Sequence, residues 1–202
     1  MIRRPPRSTL DRSSAASDVY KRQTKSFYFD KIKANVKNYN LLTKPYDPYN
    51  NDILFDGQLG SLDFRDGKWN GVFYEEDEEK AKQQGRKQNS GNLIVDFDLP
   101  KNKNVSEIAV SCMESINVGF ILHPESISLY DISSGSEKLI SSISIAKSDV
   151  DEPDSKKVFK LSLKQKNIQR VRLKIKSNRS LPKGHVAEGQ PAWVFVDEIF
   201  LL

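Results

Sequence analysis

The chain has 202 residues, 29% of them charged, with a formal net charge of +5 and a sequence pI of about 9.1. The first 23 residues hold six Lys/Arg against two Asp/Glu, leaving 26 basic and 25 acidic residues in the rest. That near-neutral remainder excludes a nucleic-acid partner, which needs a basic surface. A single cysteine, Cys112, excludes an intrachain disulfide, and no apolar run is long enough for a bilayer-crossing helix, so no membrane insertion is expected.

Residues 1–23, "MIRRPPRSTLDRSSAASDVYKRQ", are rich in Ser and Arg and lack an apolar run. The string resembles translated sequencing-adapter sequence, and it is expected to be disordered and to stand outside the fold. Residues 24–39 read as the end of a preceding β-domain: "SFYFDKI" has a strand pattern, followed by polar connector sequence rich in Asn, Lys, Pro and Tyr. The main module is expected over residues 40–202. Its first feature, "LFDGQLGSLDFRDGKW" (54–69), contains two Asp-Gly pairs. Asp-Gly marks a tight turn because Gly reaches positive φ freely and Asp bonds its own backbone. "EEDEEKAKQQGRKQ" (75–88) has helical composition but is polar all round, so it reads as an exposed insertion. From residue 92 onward, alternation dominates. "NLIVDFDL", "EIAVSCM", "VFKLSL" and "RVRLKIKS" place apolar residues at every second position, "SISLYDIS" and "LISSISIA" are short and β-branched, and "AWVFVDEIFLL" closes the chain. Period-two patterns predict half-buried antiparallel strands, and seven short ones separated by turns predict an all-β sandwich or jelly roll.

Catalytic chemistry has thin support. His123 and His185 are the only histidines, in "ILHPES" and "KGHVAE", and neither has metal-ligand spacing. No G-x-S-x-G elbow or phosphate loop is present. Both histidines fall in turns or loops, where ligand contacts are commonest. Oxygen donors are better represented, since Asp56 is followed five residues later by Ser61 within a Gly-rich turn. A hard cation such as Ca²⁺ takes roughly six to eight oxygens from carboxylates, hydroxyls and carbonyls. Spacing alone leaves a plain turn as the simpler reading.

"LFDGQLGSLDFRDGKWNG" and "AWVFVDEIFLL" together resemble the two ends of the discoidin-like C-terminal module of bacterial β-N-acetylhexosaminidases, of the coagulation factor V/VIII type C class. "VSEIAVS", "LHPESISLY" and "RVRLKIKS" are similar more loosely, and the resemblance spans about residues 40–202. It implies a discoidin-like, galactose-binding-domain-like jelly-roll β-sandwich and a carbohydrate-binding accessory role in a longer extracytoplasmic glycoside hydrolase. The catalytic Asp-Glu pair of such an enzyme belongs to another domain, so this chain is expected to be inactive alone. The resemblance further implies a structural Ca²⁺ site: side chains of Asp56, Ser61 and Glu198, with backbone oxygens of Ile53, Gln58 and Asp197. Gln58 and Ser61 depart from the Asn or Asp and the Thr common in related modules. For a glycan of the N-acetylhexosamine or galactose type, the candidates are Trp69 for stacking and Arg65, Asp66, His123 and His185 for hydroxyls. The competing expectation is a structural module that packs on its own catalytic domain with no free sugar. The outward cations of "RVRLKIK" admit a polyanionic ligand, although such a row is usually a solvated face.

Overall fold

The computed structural model describes residues 34–39, 46, 53–83, 89–164 and 167–202. The chain divides into two compact units, Met1–Asp30 and Lys31–Leu202, and only the second contains described residues. The disorder expected at residues 1–23 and the strand expected in "SFYFDKI" therefore lie outside them.

Strands β1 (Asn35–Tyr39), β4 (Asn92–Asp98), β6 (Ser126–Asp131), β7 (Lys138–Ser144) and β9 (Arg170–Lys176) form one sheet, in the order β1-β4-β9-β6-β7. Strands β2 (Asn70–Glu75), β3 (Asn89–Ser90), β5 (Glu107–Glu114), β8 (Ser155–Ser162) and β10 (Trp193–Leu201) form the other, in the order β3-β2-β10-β5-β8. Every pairing is antiparallel. The chain changes sheet at every step except β2 to β3 and β6 to β7, as a jelly roll does. The fold is thus the all-β sandwich that the alternation predicts.

Register follows from burial. On β9, Val171, Leu173 and Ile175 face Phe97, Leu93 and Val95 of β4 and Ile127 and Leu129 of β6, with Leu93↔Ile175, Val95↔Leu173 and Leu129↔Leu173 directly opposite. A one-residue slip would send this whole set to solvent. The second sheet meets it with Val72, Ile108, Val110, Leu161, Val194 and Val196, among others. Cys112 lies in the same core with no exposure, and burial pushes its thiol well above the usual range. It packs as a small apolar residue.

The outward cations of β9 are all paired. Arg170 meets Asp98 at 2.7 Å, Arg172 binds both oxygens of Asp96 at 2.6 Å, Lys174 meets Glu137 at 2.7 Å and Lys176 meets Glu125 at 2.7 Å. Hydrogen bonds from Lys174 and Arg172 hold the Glu137 carboxyl below its ordinary range. This face carries its own counter-charges, and the polyanion-binding reading of "RVRLKIK" falls away.

Three elements differ from expectation. β1, assigned to a linker before residue 40, is an edge strand on β4. Its polar sequence "NVKNY" conceals it, because an edge strand bonds on one side only and Val36 packs against the core. β2, in "NGVFYE", has no clean alternation, since Asn70, Gly71 and Val72 are buried in succession. The acidic segment forms helix α1 (Glu78–Gln83), in which Ala81 is buried; residues 84–88 lie outside the description.

Candidate functional site

β10 is buried on both faces. Val194, Val196, Ile199 and Leu201 join the sandwich core, while Trp193 and Phe195 point the other way into a second cluster with Phe64, Trp69, Met113 and Ile121. The loop between the 3₁₀ turn Ile53–Phe55 and β2 therefore covers the outer face of the second sheet. Trp69 lies nearly parallel to Phe195, with ring centroids 6.5 Å apart and planes 25° apart, and donates its Nε1–H to the Ser61 carbonyl at 3.1 Å. Gly60 is dictated by that contact, since a Cβ there would lie 2.4 Å from the indole.

A bulge in β10 anchors the loop. Pairing with β5 slips between Val196 and Glu198, which leaves Asp197 as the extra residue. Bulges re-aim side chains, and here two consecutive carboxylates reach the same loop. Glu198 Oε2 accepts the Gly57 N–H at 2.8 Å, and Asp197 Oδ2 accepts the Gly60 N–H at 2.8 Å. Lys156 Nζ donates to Asp197 Oδ2 at 2.8 Å and to the Gly60 carbonyl at 2.5 Å, and sits 5.1 Å from the Trp69 ring centre. Burial pushes the Asp197 carboxyl up, with Lys156 opposing it.

The rest of the loop binds itself. Asp56 Oδ1 accepts the Gln58 N–H at 2.7 Å, in an Asp-initiated turn that Gly57 completes at φ 73°. Ser61 Oγ accepts the Asp63 N–H at 3.1 Å. Asp66 accepts N–H groups from Ser61 and Lys68 at 2.5 and 3.0 Å. Burial raises Asp66, but these two bonds outweigh it and hold the carboxyl below the usual range.

For the metal candidates, Asp56 and Glu198 converge from distant parts of the chain on the Gly57–Gln58 turn, and Ser61 lies in the same loop. Among the described residues, no three His, Cys, Asp or Glu side chains gather as a metal cluster. A cation here would depend on these two carboxylates together with neutral oxygens, a mixture that suits Ca²⁺. Asp197 is expected to offer its backbone oxygen, and its side-chain Oδ2 is taken by the Gly60 N–H and Lys156.

The sugar candidates fare differently. Trp69 is 4% exposed, so it belongs to the core and offers no open stacking face. His123 is 3% exposed; its backbone N–H donates to Glu114 Oε2 at 3.3 Å, and its ring Nε2 lies 3.3 Å from Ser155 Oγ. Burial, with Lys157 nearby, lowers its pKa to about 4. His185 is also buried, with Nδ1 accepting the Ala187 N–H at 3.0 Å and Nε2 placed to donate to the Ile116 carbonyl at 3.2 Å. These three fill internal positions, where Trp69 and His185 bond to the protein through their ring nitrogens and His123 does so through Nε2 alone. The Asp66 carboxylate is committed to the loop backbone. Arg65 remains exposed, its guanidinium 4.2 Å from the centre of the Phe64 ring.

One aromatic at the same end was not singled out from the sequence. Phe120 follows helix α2 (Ile116–Gly119) and adopts left-handed backbone angles, φ 55° and ψ 34°. Such a conformation is costly for a bulky side chain. It leaves Phe120 38% exposed, edge-on to His185 with centroids 5.0 Å apart. Gly119 lies against Phe64, where a Cβ would come within 3.2 Å of the ring. Phe64, under the Arg65 guanidinium, thus lies close to the residue that precedes Phe120. Nothing in "NVGFILHP" marks a left-handed phenylalanine, because the usual residue in that conformation is glycine.

No protein-family model matches the chain, and no curated protein matches it. Solved structures are similar in shape. One is the C-terminal domain of a chitobiase from Bacteroides fragilis, at 12% identity over 86% of this chain and 95% of that one, with a TM-score of 0.44. Another is the family 32 CBM of NanJ from C. perfringens in complex with galactose, at 13% identity over 84% and 97% of the two chains, with a TM-score of 0.39.

Proposed function

We propose that the chain is a non-catalytic carbohydrate-binding accessory module of an extracytoplasmic glycoside hydrolase of the β-N-acetylhexosaminidase type. The observation that carries this reading is the junction of its two most distinctive stretches. The Asp-Gly loop and the "VDEI" strand are joined through Gly57–Glu198 and Gly60–Asp197, across 141 and 137 residues of chain. That is the arrangement the resemblance requires of such a module. The same junction supports Ca²⁺ held by Asp56, Glu198 and Ser61 with the carbonyls of Ile53, Gln58 and Asp197. The ion would act as a staple between loop and strand, and no reaction passes through it.

The sugar surface is the rim formed by Phe120 and Arg65, with His185 behind Phe120. Phe120 takes the stacking role that the buried Trp69 cannot, and Arg65 supplies donors for hydroxyls. A shallow rim of this kind gives weak binding, on the order of 4 kcal/mol. Amide chemical shifts recorded during titration with galactose and N-acetylglucosamine test it. Shifts confined to residues near 62–66 and 117–120, lost in Phe120→Ala, are the expected outcome. Unchanged spectra with both sugars would overturn it.

The second reading, a structural module that packs on its own catalytic domain, draws support from the burial of Trp69, His123 and His185. Three of the five sugar candidates serve the interior. Binding of the separately expressed catalytic domain, with no response to any sugar, would favour it.

A further inference from the structure

An open cleft of about 670 Å³ lies at the end of the sandwich where the β4–β5 and β8–β9 connections meet. Apolar residues Leu99, Val105, Leu163 and Ile168 line it, together with the amides of Asn104, Asn167 and Gln169. Two backbone bonds join its walls: Leu99 N–H to the Gln169 carbonyl at 2.8 Å and Leu163 N–H to the Ser106 carbonyl at 2.7 Å. Asn167 adopts φ 68° in one wall. The cleft is thus built by the two connections themselves and is continuous with the core through Val105 and Leu163.

Its charge is one-sided. Lys101, Lys103 and Lys164 line it, all exposed, and no acidic residue is among its lining residues. Among the described residues, none of the three ammonium groups pairs with a carboxylate. The contrast is with β9, where each cation has its own acid. The two acids that flank the Leu99–Ser106 wall in sequence, Asp98 and Glu107, pair with Arg170 at 2.7 Å and Lys160 at 3.4 Å. Three unpaired cations around one cleft raise the local concentration of anions.

We infer that this cleft binds an anionic sugar residue, a uronate, through its carboxylate. The volume lies in the range of small-ligand sites, which extend over about 300–1,000 Å³. The aliphatic side chains suit the apolar face of a pyranose, the amides suit its hydroxyls, and the lysines suit the carboxylate. The inference rests on the carbohydrate reading for its choice of a sugar, but it concerns separate residues at a separate place from the Phe120 rim.

The test is a chemical-shift titration of the 202-residue chain with D-glucuronate, and in parallel with D-glucose, acetate and a short poly-glutamate peptide. Glucuronate is expected to give saturable shifts at residues 99–106, 163–164 and 167–169, which glucose and acetate do not reproduce at equal concentration. Binding should weaken severalfold as ionic strength rises from ~0.01 to ~0.15 M. Lys101→Gln/Lys103→Gln/Lys164→Gln should abolish the shifts, with the fold safe because all three side chains are exposed. Phe120→Ala should leave them intact. Absence of shifts with glucuronate, equal shifts with acetate, or tighter binding of the peptide would each overturn the inference. If the unaltered chain gives no galactose shifts near Phe120 but binds glucuronate at the cleft, only the rim fails, and the reverse result strikes only the cleft.

Discussion

His123 shows how one buried group ties stability to pH. Its pKa falls from 6.5 to about 4, because burial and the neighbouring Lys157 oppose its charged form. Nδ1 has no hydrogen-bond partner among the described residues, and Glu114 Oε1 lies 3.9 Å from Nε2, too far to share a proton. The unfolded chain therefore binds a proton between pH 6.5 and 4 that the folded chain refuses. Stability is complete above pH 6.5 and falls as the pH drops towards 4, by on the order of 3 kcal/mol. Urea unfolding at a series of pH values should show this slope, and His123→Gln should flatten it. An equal slope in the variant would assign acid sensitivity to other groups. Trp69 makes a second prediction of this kind. Its ring fills the cluster around Phe195, so Trp69→Ala should destabilise by about 3–5 kcal/mol, read as a fall in melting temperature. A variant of unchanged stability would return Trp69 to the surface and reopen it as a sugar platform.

The β10 bulge and the covering loop form one mechanical element, and Lys156 is its link. Lys156→Met leaves the buried Asp197 carboxylate without its counter-charge, and the cost should be about 2–4 kcal/mol. Asp197→Asn in the same background should recover part of the loss, because the uncompensated charge is then gone. Thermal melts of the two single variants and the double variant measure this coupling, and strict additivity would mean that the pair does not act together. The sequence revealed this element unevenly. The Asp-Gly pairs announced the turns, since the requirement for positive φ is local: Gly57 sits at φ 73° and Gly67 at φ 81°. The strands of the core were legible because half-burial imposes a period of two, as on β4 and β9. Lys156 was not legible, as it begins a strand whose core pattern starts beyond it and its partners lie 96 and 41 residues away. Trp69, His123 and His185 were placed correctly in connections, but burial there depends on what the loop covers. A loop that seals an outer sheet face looks, in sequence, like one that is open to solvent.

At the scale of the whole molecule, a calcium staple is proposed at the Gly57 turn and a sugar rim at Phe120 and Arg65, and the two make different demands on stability. Asp56 and Glu198 meet at the Gly57 turn, so an ion bound there joins the loop to the last strand and favours the folded state. The melting temperature should rise with calcium and fall with chelator, and Asp56→Ala and Glu198→Ala should abolish the difference. Because Gly57, Gly60 and Lys156 already bind the strand directly, chelation should lower the melting point without unfolding the module at room temperature. Equal melting temperatures with calcium and with chelator would remove the ion from the proposal. The sugar rim makes the opposite demand. Phe120 and Arg65 reach solvent beyond the stapled loop, with Phe120 held out by its left-handed backbone. Phe120→Ala removes a side chain that contributes little to the core, so it should abolish sugar binding while stability stays within about 1 kcal/mol of the parent. It also exchanges one non-glycine residue for another at φ 55°, which leaves the backbone strain in place. Phe120→Gly relieves that strain and should be at least as stable as Phe120→Ala while equally unable to bind. Sugar titrations and melts of both variants measure the two quantities together. Retention of binding in both would move the sugar away from this rim, whereas loss of stability in both would make Phe120 a packing residue.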